Sequence, residues 1–206
     1  MIKWIIFDAM GVIFKVGDDT NDLLVPFILR RNPTISREQV KDSYRRASLG
    51  EISSFQFWRE TGLSNQYPEI EKIYLDTRLS LNPAVVSVID SLASRYQIGL
   101  LSNDVSEWSL YLRERYRLRS FHAVIISGDV HLRKPDPRIY MTFLQTAGAT
   151  GAECIFIDDR VKNLVPAKDL GMRTILFGGT LNDAFIPDAS VEDAGALISA
   201  IEQVCR

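Results

Sequence analysis

Four short stretches of this chain carry groups that could act together on an anionic substrate. Asp8 follows the apolar run Trp4 to Phe7 and precedes Gly11. Ser102-Asn103 follows Ile98-Gly-Leu-Leu, and the adjacent carboxylates Asp158-Asp159 follow Cys154-Ile-Phe-Ile. Arg133-Lys134-Pro135-Asp136-Pro137 sets a cation just ahead of a helix start. A carboxylate is already ionised at neutral pH and can serve as a nucleophile. An ammonium can neutralise charge that develops on a transferring group, and a carboxylate pair can hold a divalent cation. Singly, each has a plain explanation: Asp8 and Ser102 as caps, Lys134 as a surface lysine. Jointly they require a fold that gathers them.

Short apolar runs ending in polar residues read as buried parallel strands. After the first, strands are expected at 97–102, 123–126, 154–158 and 173–177. They alternate with helices expected at 84–95, 106–116, 137–147 and 161–170, and a last helix is expected near 191–204. Such alternation implies right-handed crossovers and an α/β fold with a doubly wound parallel sheet. The carboxyl ends of its central strands share one crevice, so the four groups would converge there. Gly178-Gly179 reads as a loop after the last strand, beside that crevice.

Between Phe14 and Asn82 the strand pattern stops. Asp18-Asp19-Thr20 offers caps ahead of Leu23, Leu24, Phe27 and Ile28, which share one helix face. Ser36-Arg-Glu-Gln39 has the form of a capping box, closed downstream by Gly50. Ser53 or Ser54 can cap a third helix that carries Phe57 and Trp58, and Pro68 to Leu79 suggests a fourth. Asn82-Pro83, an N-cap followed by proline, marks where the alternation resumes. The expected organisation is a core of residues 1–14 and 82–206 with a small helical lobe inserted at 15–81.

With these residues in this order and strand context, the chain resembles the haloacid dehalogenase-like hydrolases over residues 3 to about 177. The resemblance rests on Asp8, Ser102, Lys134 and Asp158-Asp159, and is sharpened by Lys134-Pro-Asp-Pro-Arg-Ile-Tyr140. It implies a Rossmann-like core whose helical cap closes over the crevice. It also implies phosphatase activity in which Asp8 attacks phosphorus to give an aspartyl-phosphate. Mg²⁺ would be held by the side chains of Asp8 and Asp158 and the backbone carbonyl of Met10. Lys134, Ser102 and Asn103 would bind the phosphoryl oxygens. Asp159 would orient Lys134 or a water on the metal, and Asn163 would anchor the acidic loop.

One departure changes the expected chemistry. Phosphatases of this family usually read Asp-x-Asp-Gly-Val at the first motif, and here the second Asp is Met10. A thioether neither protonates a leaving alkoxide nor activates water, a loss that typically costs ~10²- to 10⁴-fold in rate. Small phosphometabolites whose leaving group is stable as an anion, such as sugar 1-phosphates, are therefore favoured, along with acyl and aryl phosphates. Asp18, Asp19 and Asp104 are candidates to replace the missing acid. Two other readings take Met10 at face value. A 2-haloacid dehalogenase needs no proton donor for departing halide and resembles the chain in Asp-Ala-x-Gly. That group lacks the acidic pair, however, and three carboxylates crowded together without a metal would resist ionising. A regulatory protein that binds Mg²⁺ and phosphate after its turnover has decayed is the other alternative.

Composition narrows the surroundings. The 206 residues suffice for one sizeable core, or a core with a smaller lobe. Apolar and charged fractions of 46% and 24% are ordinary for a soluble globular protein. A net charge of -2 argues against nucleic acid or an anionic membrane as partner. No apolar run approaches a membrane span, and Asp8 interrupts the N-terminal one, so the expected compartment is the cytoplasm. Cys154 and Cys205 do not form a disulfide framework, and His122 and His131 are not spaced as a metal pair. The expected partner is a small phosphorylated substrate. A homodimer is compatible with the chain, although no segment identifies an interface.

Overall fold

A computed structural model describes residues 1–181 and 184–206. Strands β1 (Trp4–Phe7), β2 (Gln97–Ser102), β3 (Ala123–Ile126), β4 (Cys154–Asp158), β5 (Arg173–Phe177) and β6 (Ala189–Val191) form one sheet in the order β3-β2-β1-β4-β5-β6. Every pairing is parallel, with Phe7 beside Leu100 on one side and Ile157 on the other. The chain winds outward from β1 to β3, then returns to lay β4 against the other flank of β1. The crevice at that reversal lies beyond the carboxyl ends of the central strands.

Alternation along the strands divides the core between the two faces. Ile5, Phe7, Ile155 and Ile157 face helices α5 (Pro83–Leu92), α6 (Ser106–Arg115) and α10 (Leu197–Val204). Trp4, Ile6, Cys154 and Phe156 face α8 (Pro137–Ala147) and α9 (Val161–Asp169). Gly99 of β2 lets Phe143 of α8 lie directly on the sheet, since a Cβ there would collide with the ring. The expected doubly wound α/β class is thus observed. The expected helix near 191–204 is corrected at its start: 189–191 forms the short edge strand β6, and α10 begins only at Leu197. Asn82 stands at the N-cap of α5 but makes no side-chain capping bond; its backbone N–H instead donates to Ile13 O at 2.8 Å.

Between β1 and α5 lie a π-helical turn (Thr20–Leu24) and helices α1 (Val25–Leu29), α2 (Arg37–Ala47), α3 (Ser54–Glu60) and α4 (Glu69–Arg78). The Ser36 capping box is present: Ser36 Oγ accepts from Gln39 N at 3.1 Å and Gln39 Oε1 accepts from Ser36 N at 2.9 Å. Of the two candidate serines, Ser53 caps α3 by accepting from Gln56 N. Asp19, in contrast, has helical backbone angles and makes no capping bond.

These helices share an apolar cluster with one face of the sheet. Glu71 of α4 ties them to α6, its Oε2 accepting from Trp58 Nε1 at 2.8 Å and Trp108 Nε1 at 2.7 Å. A second seam runs along residues 48–50. Ser127 Oγ, in the short helix α7 (Ser127–Val130), donates to Ser48 O at 2.5 Å. His131 Nδ1 lies 2.7 Å from Leu49 O, and Arg133 bonds to Ser48 Oγ. Among the described residues, no helix is long and apolar enough to cross a membrane.

Candidate active site

Asp8 occurs one residue past β1, where its backbone N–H still pairs with Ile157 O of β4 at 2.9 Å. Parallel pairing therefore delivers its carboxylate beside Asp158, the last residue of β4. Lys134 enters from the loop before α8, with Nζ 2.8 Å from both Asp8 Oδ1 and Asp158 Oδ2. Its main chain is clamped by Asn103, which donates from Nδ2 to Lys134 O at 2.9 Å and accepts Lys134 N at 2.8 Å. Phe156 lies under the ammonium, 5.2 Å from ring centroid to Nζ. The lysine is thus fixed at both ends of its side chain.

Asp158 is also surrounded by donors. Asn163 Nδ2 reaches both of its oxygens at 3.0 Å, and the Arg160 N–H reaches Oδ1 at 2.9 Å. Asn163 is itself held by Tyr140, whose hydroxyl donates to Asn163 O at 2.7 Å. Asp159 differs, because its Oδ1 is buried with no hydrogen-bond partner among the described residues. Arg160 Nε is 3.8 Å from that oxygen. Gly11 and Gly17 close over the same carboxylate so tightly that a Cβ at either would collide with it. Gly11 moreover has φ of +86°, a conformation that glycine adopts without strain.

Ligand oxygens of Asp8, Asp158 and Asp159 lie within 4.8 Å of one another. Three hard oxygen donors, one of them an orphaned buried oxygen, suit a small divalent cation. Electrostatics agree. Burial pushes Asp8 well above the ordinary carboxylate range; Lys134 opposes this, and Asp158 and Asp159 reinforce it. Burial would lower the Lys134 ammonium, but Asp158 and Asp8 outweigh it and raise it, so it stays charged. Asp159 is pushed up to about 6, by burial and then by Asp158. The cluster holds more carboxylates than the lysine can balance.

A cavity of about 50 Å³ opens onto Asp8 and Lys134, while Asp158 and Asp159 lie outside its lining. Asp8, Met10, Asn103, Lys134, Arg160 and Asn163 line it from the strand ends; Asp19, Thr20 and Tyr44 line it from the helical segment. At ~10–15 Å³ for one water, the space suits a small oxyanion. Met10 is 7% exposed and contributes to the wall. Ser102 is not among the lining residues; its hydroxyl is buried without a hydrogen-bond partner among the described residues.

Thr20, Tyr44 and Arg133 also line the cavity, and sequence reasoning assigned none of them a role. Tyr44 sits at a buried position of α2 and stacks on Trp108 with ring centroids 5.9 Å apart, so periodicity reads it as core. Only the packing of α2 over the strand ends brings it to the cavity. Arg133 had one local signal, its place beside Lys134.

Comparison with known proteins gives the family and the fold. The haloacid dehalogenase-like hydrolase family matches residues 2–171. A 60-residue stretch is 45% identical to bifunctional epoxide hydrolase 2 of Mus musculus, covering 29% of this chain and only 11% of that protein. The fold superposes on a 2-haloacid dehalogenase from Pseudomonas syringae pv. Tomato DC3000 with a TM-score of 0.72 and 19% identity, over 98% of this chain and 99% of that one. A HAD phosphatase from Thermococcus onnurineus gives 0.72 and 21%, over 97% and 98%. A HAD family enzyme from Bacteroides thetaiotaomicron, in complex with magnesium and inorganic phosphate, gives 0.70 and 17%, over 89% and 98%.

Proposed function

Because the chain belongs to the haloacid dehalogenase-like hydrolases, we propose that it is a Mg²⁺-dependent phosphomonoester phosphatase that works through an aspartyl-phosphate on Asp8. The observation that carries this reading is the carboxylate cluster around Lys134, in which Asp159 Oδ1 is buried without a hydrogen bond among the described residues and has Arg160 only at 3.8 Å. By resemblance, 2-haloacid dehalogenases lack the acidic pair of this cluster. Asp8, Asp158 and the Met10 carbonyl would hold the cation, with Asp159 beside them. When bound, Mg²⁺ offsets the repulsion between the Asp8 carboxylate and a phosphate dianion.

The remaining work falls to the chain's own groups. Asp8 attacks phosphorus, and Lys134 neutralises charge on the transferring phosphoryl group. Asn103 orients Lys134 through its main chain, and Asn163 holds Asp158 in place. Ser102 lies outside the cavity wall, so the phosphoryl oxygens fall to Asn103 and Lys134. Residues 15–81 act as a cap that closes over the core of 1–14 and 82–206 and keeps water from the reacting atoms. The small cavity admits the phosphoryl group, and Met10 favours leaving groups that depart as anions, such as sugar 1-phosphates. The two free thiols, Cys154 and Cys205, suit a reducing cytoplasm.

A second reading draws on Met10 alone: a 2-haloacid dehalogenase would tolerate a thioether there. A binding protein without turnover would tolerate it too. A screen of aryl, anomeric and alkyl phosphates and of 2-haloacids, with Mg²⁺ or with EDTA, separates the three. The expected result is Mg²⁺-dependent phosphate release that Asp8→Asn reduces to background. Halide release without Mg²⁺ would replace the phosphatase reading with the dehalogenase. Protection by orthophosphate and Mg²⁺ against unfolding, with no turnover, would leave only binding.

A further inference from the structure

Three acids compete to supply the proton that Met10 lacks, and their surroundings separate them. Asp18 is half-exposed and accepts from Asn21 Nδ2 at 2.8 Å. Burial pushes its carboxyl up, but the Asn21 bonds and Arg160 outweigh this and hold it below the ordinary range, so it stays ionised. Asp104 is 2% exposed, accepts the Val105 N–H at 2.8 Å, and is not among the residues lining the cavity. Asp19 is 6% exposed and lines the same cavity as Asp8, Met10 and Lys134. Its backbone lies in helical conformation without a capping bond, and the adjacent Thr20 N–H is the backbone donor beside its carboxyl.

We propose that Asp19, presented by the helical segment, is the general acid and base of this site in place of the residue missing at position 10. The assignment rests on the phosphatase reading and widens its substrates to esters whose alkoxide needs a proton. In the first half-reaction the Asp8 carboxylate forms its bond to phosphorus as the phosphorus–oxygen bond to the leaving group breaks, and the Asp19 proton passes to that oxygen. In the second, water attacks the aspartyl-phosphate and gives its proton to the Asp19 carboxylate, while the electron pair returns to Asp8. Orthophosphate leaves, and both acids recover their starting protonation.

The neighbours of Asp19 suit a group that must hold and release a proton. Cationic Arg160 and Arg133 face it, as do the carboxyls of Asp18 and Asp104 and the phenols of Tyr44 and Tyr74. Burial pushes Asp19 up to about 7, with Arg160 pulling the other way and Asp18 adding to the rise. A shuttle is most effective when it titrates near the working pH. Burial also holds Tyr44 and Tyr74 well above the ordinary phenol range, so neither phenol competes as a base.

The test compares glycerol phosphate with p-nitrophenyl phosphate in the presence of Mg²⁺. In Asp19→Asn, kcat for glycerol phosphate should fall ~10²- to 10⁴-fold. The aryl ester should instead release one equivalent of p-nitrophenolate per site in a burst and then stall, because water attack has lost its base. In the unaltered protein kcat for glycerol phosphate should be bell-shaped in pH, while the aryl ester keeps only the rise from acid pH. That contrast needs no substitution and decides the matter even if the variant does not fold. Identical pH limbs for the two esters, equal losses without a burst, or an unchanged rate in Asp19→Asn would overturn the assignment and leave Asp8 as nucleophile. Failure of the unaltered protein to hydrolyse either ester would overturn the phosphatase reading itself, and the assignment with it.

Discussion

Met10 puts a thioether into the wall of a cavity otherwise lined mainly by charged and polar groups. Replacing it by Asp adds a second titratable group beside the leaving-group oxygen. With Asp19 already serving as acid and base, Met10→Asp should raise kcat on alkyl phosphates by less than about tenfold, well short of the ~10²- to 10⁴-fold worth of an acid–base group, and should change aryl turnover still less. Steady-state rates on the two esters check this, and an equal response would mean that position 10 does not face the leaving group. At this scale much of the site was legible in the chain. Asp8, Lys134 and Asp158 each follow a recognisable strand or precede a recognisable helix, and all three meet. Asp19 stands in the chain as one of three candidate acids, beside Asp18 and Asp104, although Asp18-Asp19-Thr20 also reads as a helix cap. The structure gives Asp19 a helical backbone without the capping bond and places it in the cavity wall.

Elements were read well wherever apolar runs were long enough to show a period. Strands β1 to β5 and the helices between them follow from such runs. Strand β6 did not, because Ala189–Val191 has three residues and only Val191 is buried; its pairing with β5 is what makes it a strand. Glu71 was illegible for a different reason, since its partners Trp58 and Trp108 come from other helices. Burial pushes its carboxyl up while the two indole N–H groups pull it down. Glu71→Ala leaves both indoles without this acceptor, at about 1–3 kcal/mol each, and should lower the unfolding free energy by about 2–6 kcal/mol. Glu71→Gln keeps a carbonyl acceptor and should lose less. Urea denaturation gives both values, and an alanine variant as stable as its parent would mean that the indoles find other acceptors.

For the whole molecule, the carboxyls fall into two populations. Asp8, Asp19, Asp104 and Asp159, in and around the cavity, are all shifted upward with burial as the first cause. Outer ones such as Glu60, Asp136 and Asp188 are shifted downward by their bonding partners. An upward-shifted acid keeps a proton in the folded state that the unfolded chain has released, so stability falls as pH rises through that interval. For Asp19 the interval runs from 3.8 to about 7, worth at most ~4 kcal/mol. Without divalent cation, the urea midpoint should be lower at pH 8 than at pH 5.5, and Asp19→Asn should flatten the slope; a midpoint that rises with pH would contradict it. The convergence of distant residues was legible here, because parallel strands place their carboxyl ends on one edge. The wall contributed by α2 was not, since nothing in its sequence says which strand ends it will overlie. The fastening at residues 48–50 has an outcome of its own. Ser127 and His131 grip main-chain oxygens of Ser48 and Leu49, atoms that every amino acid supplies. Exchange of the Ser48 or Leu49 side chain leaves those acceptors in place, whereas the Arg133 bond to Ser48 Oγ depends on the residue itself, so the seam tolerates drift at one attachment and not at the other.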